Sequence, residues 1–155
     1  MQLEYLHPML VHFPVALTLA GTGVLAWGTL RGNVHAVKSA FLILVLAGAL
    51  AVPTYITGQV ARAVLEDSGT FDRDPVLADR HEDMGLYTMA VLVSLGVFSG
   101  LAFRKGAQFH ARPWPHLVLA LAACAMVVAT AWLGGRLVFE QGVGVRAPVV
   151  GAPKR

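Results

Sequence analysis

The chain has 155 residues, of which 56% are hydrophobic and 14% charged, with a formal net charge of +3 and a mean hydropathy of +0.64. Soluble globular domains carry about a quarter charged residues, so this composition describes a membrane protein and not an ordinary soluble domain. The basic residues form no dense run and are divided between two faces, which argues against a nucleic-acid interface.

Four apolar stretches have the length of about 20 residues needed to cross roughly 30 Å of hydrocarbon. They run from Met9 to Leu30, Ser39 to Gly58, Met84 to Phe103 and Leu117 to Phe139. The fold expected is all-α: an integral membrane four-helix bundle forming one domain over residues 1–155, with a loop at 59–83 and a tail at 140–155.

The first span opens on HPMLVHFP, residues 7–14. The residues before it contain Glu4 and no Lys or Arg, and no small-residue cleavage site precedes a soluble domain, so it reads as a span and not a signal peptide. Pro8 suits a first helical position, which would leave His7 at the cap in a capping or interfacial role. Pro14 removes the bond to the Leu10 carbonyl and should bend the helix. In the second span Pro53 does the same to the Ala49 carbonyl, with Thr54 and Thr57 near enough to satisfy freed backbone groups. VARAVLED should prolong this helix beyond the membrane before SGTFDRDP turns the chain. The third helix is expected to begin near Asp79 as its N-cap, with Glu82 and Asp83 in the first turn. Gly96 and Gly100 in GVFSG, and Gly21, Gly23 and Gly28 in the first span, allow close backbone packing. The single cysteine, Cys124, reads as a small buried residue.

The short connections 31–38 and 104–116 carry Arg31, Lys38, Arg104, Lys105 and Arg112, whereas all nine acids lie on the other side. The positive-inside rule then makes those connections cytoplasmic and puts both termini on the outer, periplasmic side of a bacterial inner membrane.

Six histidines divide by this topology into His7, His12 and His81 near the outer face and His35, His110 and His116 near the inner one. His12 lies about one turn inside its span, where an imidazole requires a partner, and its helical neighbours Ala16, Ala20 and Gly23 are small. His81 heads the third span, with Gly85 and Thr88 on its face. Two imidazoles at similar depth on different helices match the axial ligands of a haem iron. Without a CxxCH motif the haem would be a noncovalent b-type group, one rather than two, with Arg62, Arg80 and Arg136 at a propionate rim. His7 lies five residues before His12, about 140° away around an ideal helix, and is the alternative ligand. Competing readings are a hydrogen-bonded His12–His81 pair, rings bonded to Asp79 or Asp83, or a nonhaem metal site. His35 and His116 could form a second pair, though both read as boundary residues, and His110 reads as a loop residue.

LHPMLVHFPVAL, Thr57-Gly58, the His81 entry and LGGRLVFEQGVGV together resemble the bacterial predicted membrane proteins called domain of unknown function twenty-two thirty-one. The resemblance implies four spans and a role near respiratory electron transfer, since such proteins occur beside or fused to cytochrome c and other redox modules. It matches His7, His12 and His81 to the family's histidines and Gly134, Gly135, Gly142 and Gly144 to its terminal glycines. Where many members read HGVGV, this chain has Gln141, which favours His12 with His81 as the pairing. The leading expectation is an electron-transfer subunit without catalysis of its own, in contact with lipid and with a larger redox or photosynthetic complex or a c-type cytochrome. A structural or assembly subunit comes second and a small-ion or metal transporter third.

Overall fold

A computed structural model describes residues 5–67, 75–105 and 113–145. Its helices are α1 (Leu6–Leu10), α2 (His12–Arg31), α3 (Val34–Asp67), α4 (Pro75–Lys105) and α5 (Trp114–Gln141). With α1 and α2 taken together, four helical stretches are long and apolar enough to cross a membrane. Packing is cyclic: α2 touches α3, α3 touches α4, α4 touches α5, and α5 returns to α2. This is a four-helix bundle of sequential neighbours. Trp27, Leu42, Phe98, Leu121 and Phe139 are exposed around its perimeter, as helices apolar on every side require when the solvent is lipid.

Local chemistry sets the ends. Gly32 takes φ +63° after α2, and the Asn33 amide returns to the Gly28 carbonyl at 2.8 Å, which satisfies a terminal acceptor. Asn33 Oδ1 then accepts the Ala36 amide at 3.1 Å and caps α3. Val11 separates α1 from α2, at the point where Pro14 withholds a donor from Leu10. Pro8 falls third in α1 and not first, so His7 belongs to the helix and is not its cap.

The helices outrun the apolar stretches. α3 continues through VARAVLED to Asp67, as expected, whereas α4 begins at Pro75 and not near Asp79. Proline is well suited to a helix start, and Asp79 is thereby released from capping to pair with Arg62. The turn expected at SGTFDRDP lies largely outside the described residues.

The main core joins Leu25, Phe41, Leu44, Leu92, Leu95 and Val127 with small residues such as Ala40, Ala120 and Ala123. Small residues let the backbones approach. A Cβ at Gly48 would fall 2.6 Å from the Leu92 carbonyl oxygen and 3.2 Å from the Gly96 Cα. Gly48→Ala should therefore destabilise the bundle by about 1–3 kcal/mol through overpacking. Gly23, with nothing within 4 Å of its Cβ position, should tolerate alanine or gain up to about 1 kcal/mol of helix propensity. Denaturation of the two variants in detergent, followed by circular dichroism, checks the contrast.

Candidate functional site

The residues of interest gather at the end of the bundle where α1 and α4 begin and α3 and α5 finish. α2 buries Pro14, Thr18, Gly21, Thr22, Leu25 and Gly28. Extended back through α1 at 3.6 residues per turn, this stripe passes through His7. His12 lies instead on the strip of Ala16, Ala20 and Gly23, all exposed. The expected meeting of His12 with His81 is thus not formed: the small residues near His12 mark the perimeter, and the ring that turns inward is His7.

The His7 ring rests on α3. Its Nδ1 lies 3.0 Å from the Thr54 carbonyl oxygen. A carbonyl can only accept, so Nδ1 carries a proton, and in the neutral ring Nε2 keeps its lone pair. Gly58 makes the approach possible, since a Cβ there would be 2.9 Å from His7 Cε1.

His81 is seated in the same manner on α5. A Cβ at Gly134 would lie 3.0 Å from His81 Cε1. The ring sits beside the Thr130 carbonyl and within electrostatic range of His7. Its Nδ1 is buried and closes no hydrogen bond of ordinary geometry among the described residues, the Thr130 carbonyl being the acceptor beside the ring. Leu77, Ala78, Leu133 and Leu137, with Met84 and Val143 against them, form an apolar cluster at this end of the bundle. On the core side, the Thr88 and Thr130 hydroxyls are 2.8 Å apart, and Thr130 also donates to the Met126 carbonyl at 2.9 Å.

The arginines are distributed differently from the expected rim. Arg62 pairs with Asp79 at 2.6 Å and with Glu82, and lies 3.9 Å from Glu66. It fastens the end of α3 to the start of α4, and Asp79 serves this cluster rather than a histidine. Arg136 makes a two-pronged bond to Glu140 at 2.7 and 2.8 Å and lies 5.1 Å over the Trp132 ring. Spacing of four residues along one helix favours that local pairing. Arg80, exposed beside His81, makes no salt bridge among the described residues.

At the opposite end His35 is exposed and His116 packs against Phe41, ring centroids 4.8 Å apart, so these two do not form a second facing pair. His110 lies outside the described residues. Cys124 is partly buried and its Sγ donates to Thr22 Oγ1 at 3.2 Å. Among the described residues no three His, Cys, Asp or Glu side chains converge in a way that could hold a metal ion.

Fold and site define a multi-pass membrane bundle with two half-buried imidazoles, His7 and His81, at one end. Over residues 4–147 the chain matches the family described as predicted membrane protein (DUF2231). It belongs to that family. No curated protein and no solved structure matches the chain.

The glycine seats generate a test. Gly58→Ala should shift the His7 ring resonances and Gly134→Ala those of His81, whereas Gly135→Ala, where nothing lies within 4 Å of the added carbon, should shift neither. Ring carbon–proton NMR spectra of the three variants check it.

Proposed function

We propose that this protein is a membrane-embedded electron-transfer subunit that binds one noncovalent b-type haem between His7 and His81. The observation that carries the reading is that two half-buried imidazoles from different helices stand at the same end of the bundle, within electrostatic range of each other, with His7 Nε2 left free by the bond that Nδ1 makes to Thr54. Two imidazoles are too few for a structural zinc ion, which takes four protein ligands. They suffice for the two axial positions of a haem iron. A haem bound there supplies one-electron chemistry.

The chain's own residues do the rest. Thr54 orients His7, Gly58 and Gly134 let both rings lie close against the facing helices, and the leucines and Met84 provide apolar surroundings. Arg80 is available to carboxylates at the mouth, while Arg62 closes the α3–α4 junction above. The charge asymmetry of the connections supports placing this end on the periplasmic side of a bacterial inner membrane. Its redox partner would then be met there, as part of a respiratory or photosynthetic complex or as a c-type cytochrome.

A second reading, a structural or assembly subunit, is favoured by the His7–Thr54 bond itself, which ties α1 to α3 without any cofactor. Visible spectra decide between the two. Protein purified from haem-replete cells should show a Soret band and a reduced alpha band, both lost in His7→Ala and His81→Ala and kept in His12→Ala. A colourless protein, or loss confined to His12→Ala, would contradict the haem site.

A further inference from the structure

The carbonyl that holds His7 is shared. Thr57 Oγ1 lies 2.9 Å from the Thr54 carbonyl oxygen and 2.9 Å from that of Pro53. A hydroxyl has one proton to donate, so Thr57 serves one of these acceptors at a time. The Pro53 carbonyl is the ordinary back-bonding partner of a helical threonine. The Thr54 carbonyl is more heavily used: His7 Nδ1–H points to it at 3.0 Å, and as a helix carbonyl it also faces the Gly58 amide. With two lone pairs, it must divide itself among three donors when Thr57 turns toward it. The Thr54 hydroxyl plays no part, being engaged with the Leu50 carbonyl at 2.8 Å.

We infer that Thr57 is a positioning residue for His7, its hydroxyl competing with the His7 Nδ1–H for the Thr54 carbonyl. The competition sets how strongly Nδ1–H is bound, and hence how much electron density the ring offers through Nε2. Bonds of this outer kind fix the orientation of a ligating histidine and adjust its basicity. The consequence for an iron at Nε2 rests on the proposed haem site, whereas the competition itself does not.

Thr57→Val removes the hydroxyl and keeps the branched shape; Thr57→Ser keeps the hydroxyl. In detergent-solubilised protein labelled with 15N-histidine and without added haem, the His7 Nδ1–H proton should move downfield in Thr57→Val and return in Thr57→Ser. Thr57→Ala serves as a second deletion should valine pack poorly, with helical circular dichroism as the check on folding. In haem-loaded protein the midpoint potential should become more negative in Thr57→Val at unchanged Soret intensity. An Nδ1–H resonance that stays in place in both deletions would overturn the role of Thr57. Colourless preparations would remove the haem site and the effect on iron, while the NMR shift would still decide the hydrogen bond.

Discussion

The close approach of α3 and α4 at Gly48 and Gly96 is the constraint on which the site depends. In lipid, apolar burial gives two helices little reason to prefer each other over acyl chains, and contact between backbones takes its place. Here the Leu92 carbonyl occupies the space that a Gly48 Cβ would need. Toward the end of the bundle that holds the site, the same two helices carry Thr54, Thr57 and Gly58 on one side and Thr88 and His81 on the other. The fit below therefore governs how far apart these residues stand above.

The site repeats the same device with rings in place of backbone. Each imidazole covers a glycine on a neighbouring helix, His7 on Gly58 and His81 on Gly134. Four helical segments thus contribute: α1 and α4 supply the rings, α3 and α5 the seats. Buried polar groups in a bilayer are costly unless paired, and the hydroxyls near these rings are paired: Thr54 to Leu50, Thr57 to Pro53 or Thr54, and Thr130 to Met126. The His81 ring has the Thr130 carbonyl beside it, as the His7 ring has that of Thr54, although its Nδ1 closes no bond of ordinary geometry. The Arg62 cluster, by contrast, links two helix ends and is half-buried at Arg62 and Glu82 and exposed at Asp79 and Glu66.

The four spans were legible in the sequence because hydropathy and length alone specify them. Helix ends were less so, since Asp79 has the chemistry of a cap and only tertiary pairing with Arg62 shows it is used otherwise. Neither Thr54 nor Thr57 takes the Ala49 carbonyl expected to lose its donor to Pro53; their hydroxyls go to nearer carbonyls. His81 shares a helix face with the buried Thr88, and its ring is partly buried. Small residues beneath His12 read as room for a partner, whereas the structure places them, with His12, on the exposed perimeter and turns His7 inward. The signal that separates the two was present: His7 shares the helical phase of Pro14, Thr18, Gly21 and Leu25, the stripe that becomes buried. The roles of Gly58 and Gly134 could not be read locally, because each depends on a ring delivered by a distant segment.

The central claim is that His7, and not His12, meets α3 while His81 meets α5 inside the bundle. Proton–proton NOE spectra of the histidine rings test this directly. The expected result is a cross-peak from His7 Hε1 to the Gly58 α-protons and one from His81 Hε1 to those of Gly134, with none from the His12 ring to α3, α4 or α5. Cross-peaks joining the His12 ring to α4 or α5, with His7 silent toward α3, would contradict it.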